Sequence, residues 1–191
     1  MILSATKVLE LNKEHSLIEN LDERELTNPE GVGIDLRVGE VYRLSGEGYL
    51  GVEERKTPDA KIVASAASGD KEVLMKPGDF LLVKTIERVN VPGKKIVVTN
   101  GKEPRFLALF VTHRSTLHRC GILFMATKTD PGYSGELVFG LKNVGGANFR
   151  LELGARIANA VFFEVDGDIH RAYEGQWGGG RVATGAKEVQ K

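Results

Sequence analysis

The sequence predicts a mainly β domain of the sandwich, jelly-roll or distorted-barrel kind, opened by a short helix. Two observations carry the prediction. From Val32 onward, short runs rich in Val, Ile, Leu and Phe recur between Gly, Pro and Asn, the pattern of an antiparallel all-β architecture. Helical patterning is confined to the start, where Ser4 can cap a segment whose Val8, Leu9 and Leu11 form a small apolar face.

Taken in order, the helix is followed by an acidic stretch, Asn20 to Glu25, that can add another turn. Strands are expected at Ile34–Val41, Phe80–Val91, Lys95–Thr99, Leu107–Val111, Gly121–Ala126, Gly135–Asn143 and Arg156–Val165. Lys56 to Lys71, with its Ala/Ser/Gly run, reads as a loop or exposed hairpin. The last seventeen residues, Gly175 to Lys191, hold five glycines and almost no large apolar groups. They are expected to be a mobile tail. The organisation is therefore one β domain over 1–174 and a flexible Gly-rich segment over 175–191.

Composition narrows the function. The chain has 191 residues, with 26 Lys plus Arg against 26 Asp plus Glu. A zero balance argues against a protein that grips nucleic acid or an anionic membrane over its whole surface. No apolar run approaches the roughly 20 residues that span a bilayer, and Met1-Ile2-Leu3-Ser4 turns polar too soon for a signal peptide. A single cysteine, Cys120, excludes an intrachain disulfide and suits a reducing cytoplasm. Glycine, at 23 residues, is about 12% of the chain against a usual ~7%.

Several chemistries are absent. Gly175 to Val182 has the glycine density of a phosphate loop but lacks its Lys-Ser/Thr pair and its strand–helix setting. The histidines His15, His113, His118 and His170 show no metal-ligand spacing. The signature of zinc nucleobase deaminases is missing, as is a G-x-S-x-G elbow.

Four polar clusters stand out. Gly33-Ile34-Asp35-Leu36-Arg37 puts a carboxylate inside a strand-like run; its bland reading is a solvent-facing edge residue. His113 to Arg119 offers two guanidinium groups, Arg114 and Arg119, with the hydroxyls of Ser115 and Thr116, donors suited to phosphate oxygens; a solvated basic turn is the alternative. Thr129 to Gly135 is first a turn signal through Asp-Pro-Gly. It can also place Asp130 as a base at a turn tip, with Tyr133 as a flat wall for a sugar or base. Leu153 to Asn159 leads into an apolar strand and equally describes a hairpin turn.

Their order resembles the dCTP deaminase and dUTPase superfamily. Met-Ile-Leu-Ser, Ile34-Asp35-Leu36-Arg37-Val38-Gly39, Pro77-Gly78-Asp79-Phe80 and Thr85-Ile86-Glu87-Arg88-Val89 resemble the N-terminal part of dCTP deaminases. Arg114-Ser115-Thr116-Leu117-His118-Arg119-Cys120-Gly121 matches R-S-S-L-x-R-x-G, with Thr for the second Ser. Asp130-Pro131-Gly132-Tyr133-Ser134-Gly135 matches D-P-G-[WFY]-x-G. Gly154-Ala155-Arg156-Ile157-Ala158 resembles P-G-x-x-I-[GA]-Q, with Asn159 where Gln is usual, and Tyr173-Glu174-Gly175-Gln176 resembles a Y-x-G-Q tail.

The resemblance implies a distorted β-barrel or jelly roll, a homotrimer with shared active sites, and a Mg²⁺-bound deoxynucleoside triphosphate as substrate. It implies that Arg114, Ser115, Thr116 and Arg119 hold phosphate oxygens and that Tyr133 packs on the deoxyribose. Asp130 would be the catalytic base. Asp35 would orient a water on Mg²⁺, and Gln176, Trp177 and Arg181 would reach the nucleotide from the tail. One departure selects the reaction. The glutamate that activates water in the deaminases falls on Gly140, which has no side chain to accept a proton. Glu136 shares its face but lies four residues away, about 13 Å along a strand. The segment from Gly121 to Asp130 is also shorter than in typical deaminases. The expected activity is therefore dUTP diphosphatase, giving dUMP and pyrophosphate. A dCTP deaminase, possibly bifunctional, and a non-catalytic nucleotide-binding trimer are the alternatives.

Overall fold

The computed structural model describes residues 1–190. Helix α1 (Ala5–His15) starts at its expected cap: the Ser4 hydroxyl accepts from the Lys7 N–H at 3.2 Å, while Val8 and Leu11 turn into the core. Next come β1 (Ile18–Glu19), a short helix α2 (Glu23–Thr27) and the long strand β2 (Ile34–Ser45). A small hairpin, β3 (Tyr49–Leu50) with β4 (Glu54–Lys56), precedes β5 (Asp59–Ser65), β6 (Glu72–Met75) and β7 (Phe80–Asn90). The second half runs β8 (Phe106–His113), α3 (Ser115–Arg119), β9 (Ile122–Met125), β10 (Ser134–Asn143), β11 (Phe149–Glu152), β12 (Arg156–Val165) and β13 (Glu188–Val189).

The main sheet has eight strands in the order β8-β12-β2-β7-β10-β9, with β1 also on β7 and β5 on β2. All of its pairings are antiparallel, and it curls into a nearly closed, barrel-like form. Alternation fixes the faces. On β7, Leu81, Val83 and Val89 point inward; on β10, Leu137, Phe139 and Leu141 do the same; Ile34, Leu36 and Phe162 complete the centre. Among the described residues no helix is long and apolar enough to cross a membrane.

One irregularity positions the site. The β10–β7 register slips between Glu136 and Val138, which takes the Leu137 N–H out of the ladder. The buried Thr85 hydroxyl accepts that N–H at 3.0 Å and donates to the Glu87 carbonyl at 2.6 Å, so the bulge leaves no orphaned donor.

Two sequence expectations need correction. Lys95 to Thr99 is not a strand: Ile96 makes a single bridge to Arg105, and Pro92-Gly93 before it and Asn100-Gly101 after it cut the segment short. Lys56 to Lys71 is neither a loop nor a hairpin of its own, because β5 pairs along β2, which continues past Val41 to Ser45. Most of β5 is exposed, so it lacked the apolar alternation that would have marked it.

The glycine-rich segment, expected to be mobile, is folded back on its own chain. Strand β13 pairs with β4 in a three-stranded sheet, β13-β4-β3. Its contacts are polar and distant in sequence, which is why composition gave no sign of them. Arg55 donates through Nε and Nη2 to the Glu188 carboxylate at 3.1 and 3.0 Å, and Gln190 Nε2 reaches the Gly51 carbonyl at 2.6 Å. Lys191 lies outside the described residues.

Candidate active site

The turn before β10 builds one wall of a cavity of about 340 Å³. Asp130, Pro131, Gly132 and Tyr133 close on themselves, with the Tyr133 N–H donating to the Asp130 carbonyl at 3.1 Å. The turn is pinned to the strand β7 exit: Gly132 N–H donates to the Val91 carbonyl and Val91 N–H to the Tyr133 carbonyl, both at 2.8 Å. Asp130 stays 43% exposed at the tip, ion-paired with Lys128. Tyr133 is 8% exposed and donates its hydroxyl to the Glu136 carbonyl at 2.6 Å. Burial pushes its phenol up to about 12.

The opposite wall comes from the outer face of the sheet, Leu82 and Val138, and from the C-terminal segment, Trp177 and Arg181. Tyr173 joins the walls. Its ring meets that of Tyr133 edge to face at 5.4 Å, and its hydroxyl accepts the Trp177 N–H at 3.1 Å. The segment comes this close because two glycines meet: a Cβ on Gly135 would stand 2.5 Å from the Gly180 nitrogen. Both have positive φ, +148° and +71°. Asp130, Tyr133, Trp177 and Arg181, expected as site residues, thus share one cavity. Gln176 does not line it; its Nε2 donates to the Val189 carbonyl at 2.8 Å.

Gly140 lies buried on β10, opposite Met125 of β9 and Leu82 of β7. A Cβ there would stand 3.1 Å from Met125 Cε and 3.1 Å from Phe80 Cε2. These are tight contacts, and both neighbours would have to give by a few tenths of an ångström to admit a side chain.

The expected phosphate residues lie elsewhere. Arg114 and Thr116 line a second cleft of about 360 Å³ with Arg150 and Arg156, and the two cavities have no lining residue in common. Ser115 and Arg119 are exposed on α3. Asp35, expected to orient a metal-bound water, is 2% exposed and faces guanidinium groups instead. One carboxylate oxygen accepts from Arg114 Nη1 and from Arg156 Nη1 at 3.0 Å, and the other accepts from Asn159 Nδ2 at 3.0 Å. Three donors offset the cost of burying this charge and aim both arginines at the cleft. The Asp35 N–H donates to the buried Glu25 carboxylate at 3.1 Å, which also holds Arg24 at 2.6 Å. Among the described residues no three His, Cys, Asp or Glu converge as metal ligands.

A family model for dCTP deaminase-like chains matches residues 2–165. The chain belongs to the dCTP deaminase-like family. This family member is 31% identical to a dCTP deaminase of Natronomonas pharaonis, over 100% of its own length and 95% of the relative's. It is 32% identical to a probable deoxyuridine 5'-triphosphate nucleotidohydrolase of Methanothermobacter thermautotrophicus, over 76% of its own length and 85% of the other's. The crystal structure of a 2'-deoxycytidine 5'-triphosphate deaminase from Agrobacterium tumefaciens shares the fold, with a TM-score of 0.60 at 13% identity. That match covers 84% of the dCTP deaminase-like chain and 47% of the Agrobacterium chain, so this chain spans about half the length of that one.

Sequence reasoning on this dCTP deaminase-like chain gave no role to Lys128, Arg156 or Arg55. Lys128 carried a signal, since a residue two before Asp130 in extended chain points the same way. Arg156 lies within the Gly154–Ala158 motif, but its partner Asp35 is 121 residues away. Arg55 had no local signal, because its partners are 122 to 133 residues away.

Proposed function

We propose that this chain is a dUTP diphosphatase that converts dUTP, bound as its magnesium complex, to dUMP and pyrophosphate. One observation carries the reading. Gly140 offers no carboxylate for deamination, and Phe80 and Met125 occupy the space around it, while Asp130 and Tyr133 stand intact in a cavity. Asp130, at an exposed turn tip, accepts a proton from water as that water attacks the α-phosphorus. Lys128 forms an ion pair with it. Tyr133, neutral and fixed by its bond to Glu136, presents a ring for the deoxyribose to pack on. The triphosphate brings most of the ligands for its own magnesium ion, as is usual for this hard cation.

The reading includes a homotrimer with shared sites. It is supported by the separation, within one chain, of the Asp130 cavity from the Arg114 and Arg156 cleft. A neighbouring copy that brings its cleft, with Ser115 and Arg119 at its rim, to this cavity would complete the donors for a triphosphate. The apolar side chains of Phe110 and Leu123, 53% and 50% exposed, are available for such contact.

The full-length similarity to the Natronomonas dCTP deaminase favours a second reading, deamination of dCTP. Incubation with Mg²⁺ and either dUTP or dCTP, with separation of the products, decides between them. dUMP from dUTP without ammonia from dCTP is expected; ammonia released from dCTP at a comparable rate overturns the proposal.

A further inference from the structure

We propose that Arg55 is a positioning residue that clamps Trp177 and closes the C-terminal segment over the Asp130 cavity of its own chain. The Arg55 guanidinium lies 4.6 Å from the centre of the Trp177 indole, and that of Arg181 lies 5.8 Å from the same ring. Between them sits Glu188, one oxygen to each. Its Oε1 accepts from Arg55 Nε and Nη2 at 3.1 and 3.0 Å, and its Oε2 accepts from Arg181 Nη2 at 2.8 Å. Trp177 lines the cavity; Arg55 does not.

Four side chains thus form a closed circuit, and Arg55 is its one member outside the C-terminal segment. It projects from the β3–β4 hairpin, where Arg55 pairs with Glu188 across the β4–β13 ladder. An exposed ion pair contributes little, but Arg55 and Glu188 are only 16% and 20% exposed and the contact is forked and ring-stacked. The arrangement fixes the indole plane beside the cavity, so the aromatic wall stands ready before any nucleotide arrives. Arg181, one of the two cations, lines the cavity and puts a positive charge on its wall, the sign that a polyphosphate needs.

Trp177 is the single tryptophan of the chain, so its fluorescence reports the clamp directly. This inference takes dUTP as substrate from the reading above, but acrylamide quenching of Trp177 needs no turnover and separates the two. In Arg55→Met, which keeps the apolar stem, quenching should rise about two- to threefold and KM for dUTP about tenfold, with kcat changing less. Arg55→Lys should not restore the wild-type values, because an ammonium can sit over the ring but can neither fork onto Glu188 nor lie flat on the indole. Glu188→Gln, placed outside the barrel, should move both readouts the same way and serves if the Arg55 variants fail to fold. Unchanged quenching in the variants overturns the clamp. Raised quenching with an unchanged KM overturns its role in closing the cavity. A wild-type protein that does not hydrolyse dUTP refutes the assigned reaction, and quenching then still decides for or against the clamp.

Discussion

Thr57 and Thr184 exchange hydrogen bonds: each donates its backbone N–H to the other's hydroxyl, at 3.1 and 2.9 Å. This reciprocal pair is buried at Thr184 and ties the end of β4 to the C-terminal segment just after Arg181. Removal of residues 175–191 should leave the barrel folded, since these ties lie outside it, yet lower kcat/KM for dUTP about tenfold or more by opening the cavity to water. Steady-state kinetics beside a melting curve checks this, and a truncated chain with full activity would remove the segment from catalysis.

Asp130→Asn keeps the size and turn preference of the residue but not its proton-accepting oxygen. Turnover should fall by roughly 10² to 10⁴, while KM moves little because the phosphates are held by other groups. Near wild-type turnover would assign the base to another residue.

The pH dependence of Tyr133 has a definite sign. Its folded-state phenol, pushed by burial from 10.0 to about 12, holds its proton more tightly than the unfolded chain does. The stability it contributes is fully present below the unfolded value and is lost as pH rises from 10 through about 12. Melting curves of Tyr133→Phe should therefore flatten the alkaline decline in that window. In the wild type, kcat should show no loss from Tyr133 ionisation below about pH 11.

Glu188 predicts the opposite sign at the acid end. Burial alone would raise its carboxyl, but the hydrogen bonds from Arg181 and Arg55 outweigh that and hold it below the usual range. Seating of the segment should persist at neutral pH, above the unfolded value, and be lost as pH falls through the lower folded one. Quenching of Trp177 should therefore increase on acidification, and less so in Glu188→Gln.

If neighbouring copies complete each other's sites, two inactive variants should rescue one another. Asp130→Asn and Arg114→Met, unfolded together and reassembled, place an intact Asp130 beside an intact Arg114 in about a quarter of the sites. Activity near that fraction is expected from the mixture. None above the separate variants would place the whole site in one chain.

The barrel was legible where one face is buried and the other wet: β7 alternates through its whole length, and β10 does so around its bulge. The Asp130–Tyr133 turn was legible because a turn writes its chemistry into consecutive residues. The rest was written across distance. β5 shows mostly exposed side chains, the Arg55–Glu188 contact joins positions 133 residues apart, and Asp35 gains its partners only when β2 meets β12. The hydroxyl of Thr85, which reads as an ordinary strand residue, acquires its role only from the register slip at Leu137.

Gly140 has a consequence for how this sequence can change. Its neighbours Phe80 and Met125 stand on two other strands, β7 and β9, and have closed around it. A side chain introduced there requires Phe80 and Met125 to give by a few tenths of an ångström, so the cost of the change is set by how far these two neighbours can move. The outcome of a substitution at position 140 therefore depends on which residues stand at positions 80 and 125.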